Sequence, residues 1–385
     1  MVALWLLAVP AVGALALTVG NLLTWPRGRR DDVGDGRAAR TRAALGTVSV
    51  LIPARNEVFN IEACVRAVAA WRPGEIVVCD DGSTDGTGDV LRRLQADLPI
   101  LRVIGGDSPL PPGWTGKPWA CQRLFEAARG DSCFFVDADV VVDEFALDRV
   151  ASIVEEFGAD IVTAVPRQIM GSPFEQLVMP LLHLTYVAWL PLLLIWRSRD
   201  ARFLAANGQL LWLQRNTLQD LGGFAAVQND LIDDMALCRR AKQAGRVVVF
   251  ADGYDLGRCR MYRSAHEVVD GFSKNLHEGV GSSVGVLIVA VLYASAFVVP
   301  ALLLPVFPVL PVVVAVAAGL ALRLLLVLRF GHPLWSAWVF PVGVIAFLAI
   351  AANSVRWSWR GRIAWKGRVY AARAARVVNV TPGAA

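Results

Sequence analysis

An α/β domain on a parallel sheet, held to a membrane by apolar helices at both ends, is the fold this sequence predicts. Three observations predict it. Strand-like and helix-like segments alternate between residues 47 and 160, the first 25 residues carry no charge, and a second apolar territory runs from about Ser282 to Val355. The bulk numbers agree: hydrophobic residues make up 55% of the 385, and the mean hydropathy is +0.49, too apolar for a purely soluble chain. That length holds one large domain or two ordinary ones.

Taken in order, residues 1–26 read as an uncleaved transmembrane anchor, long enough for a crossing of about 20 residues and lacking the basic start of a signal peptide. Arg27, Arg29 and Arg30 follow it, so the N-terminus is expected outside and the next segment in the cytoplasm. Residues 27–46 form a polar linker. In 47–280, "TVSVLIPA" is a strand, "RNEVFNIEACVRAVAAW" has apolar residues at helical spacing, and "EIVVCDDGSTDGT" runs from strand into turn. "GDVLRRLQADL" (helix), "ILRVIGG" and "SCFFVDADVVVD" (strands) complete this half. Such alternation indicates a parallel sheet covered on both faces.

The run 177–196, "LVMPLLHLTYVAWLPLLLIW", is long enough to cross a membrane. It lies between stretches that belong to one site, so it is expected in the interface or the core. Residues 281–355 divide into three helices near 283–304, 307–328 and 334–355. Three crossings would leave the tail 356–385 outside, yet Arg356 to Arg376 holds seven basic residues and no acidic one. Charge bias outweighs the helix count here, giving a cytoplasmic or interfacial tail with Trp357, Trp359, Trp365 and Tyr370 on a helix among the headgroups. Beside apolar segments, this basic run points to an anionic membrane face and not to nucleic acid. The six scattered cysteines read as reduced, buried thiols.

Ligands in open α/β sheets bind at the carboxyl ends of strands, where Arg55–Glu57, Asp80–Asp81 and Asp137–Asp139 fall. No GxGxxG follows the first strand, and "PPGWTGKP" lacks the first Gly and the Ser/Thr of a P-loop. The sequence therefore points away from dinucleotide dehydrogenases and P-loop NTPases. The pair Asp137 and Asp139 suits Mg²⁺ or Mn²⁺ held against a diphosphate; a turn is the plainer alternative. Asp85 is expected to cap the next helix. Lys117 is a candidate for the donor phosphates or the acceptor entry. His183, His266 and His277 lack metal-ligand spacing and read as structural.

Together "VSVLIPARNE", "IVVCDDGSTDGT", "VDADV" and "LGGF…LIDDMALCRRAKQAG" resemble family 2 glycosyltransferases of the GT-A fold, a Rossmann-like, nucleotide-diphospho-sugar transferase architecture, over roughly 47–280. "LPPGWTGKPWA", "CRMYRS" and "FSKN" are similar to the membrane-anchored branch of carotenoid (4,4'-diaponeurosporenoate-type), hopanoid-associated and ceramide glucosyltransferases. The resemblance implies a multi-pass cell-membrane enzyme with a cytoplasmic catalytic domain. Such an enzyme transfers a hexose with inversion from a UDP-glucose-like nucleotide sugar to a lipid, a carotenoid acid first among candidates. Glu57 and Asp81 would contact base and ribose, Asp139 the Mg²⁺ or Mn²⁺, and Asp137 the ribose or the metal shell. Asp234 would be the general base, with Asp233 the alternative. Arg260 and Arg263 would clasp the diphosphate, although Ser264 stands where the family has Trp. Other expectations are a hopanoid, glycerolipid, ceramide or polyprenyl-phosphate acceptor, or a membrane scaffold with an inactive domain. No oligomeric state follows.

Overall fold

The computed structural model describes residues 2–29, 43, 45–105, 109–360, 362–365 and 368–371. They fall into two compact units, one built from Trp25–Ile169, Leu194–Met261 and the short strand Arg368–Ala371, the other from the N-terminal helix, Met170–Leu193 and Tyr262–Trp365.

The first unit carries strands β1 (Val48–Ala54), β2 (Glu75–Asp80), β3 (Leu101–Gly105), β4 (Ser132–Val136), β5 (Val140–Val142), β6 (Ile161–Gln168), β7 (Leu210–Gln214) and β8 (Val248–Cys259). They form one sheet in the order β3-β2-β1-β4-β7-β6-β8-β5. Side chains alternate between two cores, as a pleated strand requires. Val50, Ile52, Val78, Phe134 and Val136 join the helices Ile61–Ala69, Thr87–Asp97 and Ala146–Phe157 on one face. Leu51, Val77, Cys79, Cys133 and Phe135 join Gly116–Ala127 and Asp233–Gln243 on the other. Burial on both faces is why these strands read as unbroken apolar runs.

The sheet is mixed, not parallel throughout. β7 runs antiparallel to β4 and β6, and β5 antiparallel to β8. A parallel pair needs a crossover along the sheet. Here the chain leaves this unit after β6 and re-enters at the end it left, so β7 must run back.

"FFVDADVVVDEF" supplies two strands separated by three others in the sheet. Val136 and Val140 are joined by about 14 Å of chain at most, whereas four flat strand spacings measure about 19 Å. The sheet therefore curls into a half-barrel, with Asp137–Asp139 at the closure.

The expected linker starts late. Trp25 stacks on Phe250 at 5.5 Å, and Arg27 pairs with Asp252 at 3.1 Å, so residues 25–29 are part of the sheet unit. Most of the expected linker, residues 30–42 and 44, lies outside the described residues. The six cysteines are free and buried, as expected.

In the second unit four helices are long and apolar enough to cross a membrane: Trp5–Thr24, Ser283–Leu303, Leu310–Phe330 and Phe340–Trp359. The run 177–196 is broken into Pro180–Trp189 and shorter pieces, and ten helical residues reach only about 15 Å. Asn21 fixes its end, donating to the carbonyls of Val187 (2.8 Å) and Leu190 (2.7 Å) and accepting the Leu192 N–H (2.9 Å). Residues 170–193 and 262–280, expected in the catalytic domain, belong instead to this helical unit. The tail also differs from the expected interfacial helix. Trp357 and Trp359 end the helix Phe340–Trp359, while Trp365 and Tyr370 sit in short strands, Arg362–Trp365 and Arg368–Ala371. Residues 361, 366–367 and 372–385 lie outside the described residues.

Candidate active site

The topology gathers one rim. β1, β2, β4, β6 and β8 end on it, and antiparallel β7 begins on it, since Leu210 lies opposite Val136. Residues preceding β7 thus arrive beside residues following β4: the Asp137 N–H donates to the Gln209 carbonyl at 3.1 Å.

Beyond β1 and β2 the polar side chains are used to lock two loops together. Ser83 Oγ accepts the Asn56 N–H (2.9 Å), Thr87 Oγ1 the Glu57 N–H (2.8 Å), and Asp85 the Val58 N–H (3.0 Å). Asp85 does not occupy the cap position itself; Gly86, at φ +96°, does, and Asp85 accepts the Thr87 N–H from one residue further out. Burial pushes the Asp85 carboxyl up, but the hydrogen bonds from Thr87 and Val58 outweigh it and hold it below its ordinary value. Glu57 accepts from the Asn60 amide at 2.8 Å. Asp81 is buried, its N–H on the Ala54 carbonyl (2.9 Å) and its own carbonyl on the Arg55 guanidinium.

Beyond β4 the charged groups face one another. Lys117, at the start of Gly116–Ala127, pairs with both Asp137 oxygens at 2.6 and 2.9 Å. A Cβ at Gly208 would lie 3.1 Å from Lys117 Nζ and 3.3 Å from Asp234 Oδ2, so the ammonium and that carboxylate meet across a bare glycine. Asp234 also accepts the N–H groups of Met235 (2.8 Å) and Gly208. It opens the helix Asp233–Gln243, whose acids lie at the positive end of the helix dipole and whose Arg240 and Lys242 lie at the negative end.

Burial raises the Asp234 carboxyl above its ordinary value, with Lys117 opposing. Burial pushes neighbouring Asp233 up to about 6, again against Lys117. A carboxylate raised in this way is suited to accept a proton.

Glu57, Asp137 and Asp139 are close enough to act on the same thiol: burial first, then the charges of Asp139, Asp137 and Glu57, push Cys64 well above its ordinary value. The Asp139 carbonyl accepts the Arg260 N–H at 3.3 Å, and Arg260 Nη1 donates to the Ile169 carbonyl at 3.0 Å. Arg263 lies in the helical unit, where its N–H caps onto Glu267 at 2.7 Å. The sequence pattern missed Gly208 and Gln209; the polar "NGQ" ahead of an apolar strand was the only signal for them.

A family model described as "Glycosyltransferase like family 2" matches residues 46–260. The chain belongs to that family. The described sheet thus carries a family 2 glycosyltransferase domain, with the expected GT-A fold. The fold is shared with the mannosyltransferase PcManGT from Pyrobaculum calidifontis, solved in complex with GDP-Man and Mn²⁺. The TM-score is 0.56 at 18% identity, over 91% of this chain and 99% of that one.

Among curated relatives, glycosyltransferase AglD of Haloferax volcanii is 34% identical over 147 residues, 36% of this chain and 23% of that protein. The 4,4'-diaponeurosporenoate glycosyltransferase of Staphylococcus aureus is 23% identical over 242 residues, 61% and 62% of the two chains. The match spans less than two thirds of either relative.

Proposed function

We propose that this chain transfers a hexose, with inversion, from a UDP-glucose-like nucleotide sugar to a lipid acceptor at a cell membrane, its glycosyltransferase domain on the cytoplasmic side. The observation that carries the reading is the meeting of Asp234, Lys117 and Asp137 around Gly208 at the rim where such sheets bind ligands. Asp234 is the base that takes the acceptor hydroxyl's proton. It is more open than Asp233, which is 5% exposed. Glu57 and Asp81 follow neighbouring strands, which supports them as the contacts to base and ribose. Arg260, which follows β8, remains the proposed diphosphate donor, as a planar, permanently charged group.

The residues present fit a divalent metal. Among the described residues no three His, Cys, Asp or Glu side chains are arranged to hold a metal alone. Mg²⁺ and Mn²⁺ sites of this kind need only one or two carboxylates, with phosphate oxygens and water completing the shell. Lys117 engages both oxygens of Asp137, which supports Asp139 as the ligand. When bound, the ion would neutralise charge on the leaving diphosphate. Lys117 holds Asp137 in place and limits the repulsion among the three carboxylates.

An apolar acceptor crosses water at high cost, so the four membrane-length helices belong with a lipid substrate. The relative named for 4,4'-diaponeurosporenoate makes a carotenoid acid the first candidate acceptor. The test is to incubate membranes containing the full chain with labelled UDP- and GDP-sugars, with and without EDTA, and to analyse the lipid extract by mass spectrometry. A glycosylated lipid that disappears with EDTA is expected. Sugar released only as free hexose, or transfer unaffected by EDTA, would overturn the acceptor or the metal reading respectively.

A further inference from the structure

A directed chain of buried hydrogen bonds ends on Cys259, beside Asp139. Gln168, at the end of β6, donates through Nε2 to the Pro166 carbonyl (2.9 Å) and to Gln209 Oε1 (3.0 Å). Gln209 donates through its own Nε2 to Cys259 Sγ at 2.9 Å. Cys259, the last residue of β8, is in register with Val140, and the next residue, Arg260, donates its N–H to the Asp139 carbonyl. Cys259 and Asp139 are near neighbours: burial first, then the Asp139 charge, pushes the thiol well above its ordinary value. Cys259 is 0% exposed, Gln209 4% and Gln168 6%, so water does not compete for these groups.

The direction of the chain is forced. An amide nitrogen can only donate, so the sulfur accepts from Gln209, which leaves the single thiol proton for the neighbouring Asp139. The same Gln209 takes the Asp137 N–H on its backbone carbonyl at 3.1 Å. One residue thus holds the backbone of the first aspartate and the thiol beside the second.

We propose that Cys259, oriented by Gln209 and Gln168, is a positioning residue that sets the Asp139 carboxylate for a divalent cation carrying a nucleoside diphosphate. This inference rests on the metal-ligand role proposed for Asp139. Groups that orient metal ligands are worth about 10- to 100-fold in affinity, and a buried thiol is an unusual choice for the task, because its ordinary behaviour is that of a small apolar side chain.

The test measures binding without turnover: titration of the purified full chain with UDP in the presence of Mn²⁺, by calorimetry and by the Mn²⁺ electron paramagnetic resonance signal, alongside melting temperature. Asp139→Asn is measured first. If it binds Mn²⁺ and UDP as the wild type does, the metal reading fails before Cys259 is considered. With that reading intact, Cys259→Ala is expected to weaken Mn²⁺-dependent UDP binding about tenfold. Cys259→Ser, which keeps one donor and one acceptor, is expected to recover most of it. Gln168→Met breaks the chain two links away and guards against misfolding of the cysteine variants; a loss of two- to threefold is expected. Unchanged Mn²⁺ affinity in Cys259→Ala, or a loss equal in Cys259→Ala and Cys259→Ser, would overturn the positioning role while leaving Asp139 as the ligand.

Discussion

The two edges of the same sheet handle charge in opposite ways. At the amino edge, Glu75 opens β2 and is fully matched. It accepts from Ser49 Oγ (2.6 Å), from the Arg129 N–H (2.5 Å) and from Arg102 Nη1 (2.8 Å). Burial works against its charge, but these donors outweigh burial and hold the carboxyl below its ordinary value. At the carboxyl edge, Asp137, Asp233 and Asp234 share one lysine, and burial leaves Asp233 and Asp234 raised. One edge is saturated and serves stability. The other carries surplus negative charge, which costs stability and which the proposed reaction would use when a cation-bound donor and a hydroxyl arrive.

The largest effect that would sharpen this contrast is Asp234→Asn. It removes the proposed base and should lower transfer by about 10²- to 10⁴-fold, with the melting temperature unchanged or raised, because a strained charge has gone. Full-rate transfer by this variant in the lipid-extract assay would refute the base assignment. Next comes Glu75→Gln at the other edge. Losing charge-assisted hydrogen bonds costs about 2 kcal/mol, or a fall in melting temperature of roughly 4–8 °C for a domain of this size. Transfer rates per folded molecule should stay within about twofold of the wild type. A Glu75→Gln enzyme that kept its melting temperature but lost activity would dissolve the division of labour between the edges.

Much of the carboxyl edge was legible because the fold writes it locally. β1, β2 and β4 are buried on both faces, so their apolar runs stop abruptly, and the acids that follow mark strand ends. What stayed hidden depended on distant pairing. Gly208 reaches Asp234 and Lys117 only because β7 runs antiparallel after the chain has left for the helical unit and returned. Arg27 looked like a membrane-flanking charge, yet it pairs with Asp252, whose carboxyl is 1% exposed. The segment 177–196 had the composition of a crossing, but its helix Pro180–Trp189 stops where Asn21 takes up the Val187 and Leu190 carbonyls. Composition reports burial; it does not say whether lipid or protein does the burying.

The smallest effect is also the most diagnostic, because its sign reverses between the edges. Asp233 has an ordinary value of 3.8 and is pushed up to about 6 by burial, so its favourable contribution is complete below 3.8 and lost as pH rises through about 6. Asp233→Asn should therefore melt at a higher temperature than the wild type at pH 7–8, and the advantage should vanish near pH 4. Glu75, lowered in the folded state, contributes above its ordinary value of 4.5 and loses that contribution as pH falls. The Glu75→Gln penalty should accordingly be full at pH 7 and shrink only on strong acidification. Melting curves of the three proteins from pH 4 to pH 8 measure both trends. If Asp233→Asn gained nothing at pH 8, Lys117 would be compensating all of the negative charge at the carboxyl edge, and the surplus on which the contrast depends would not exist.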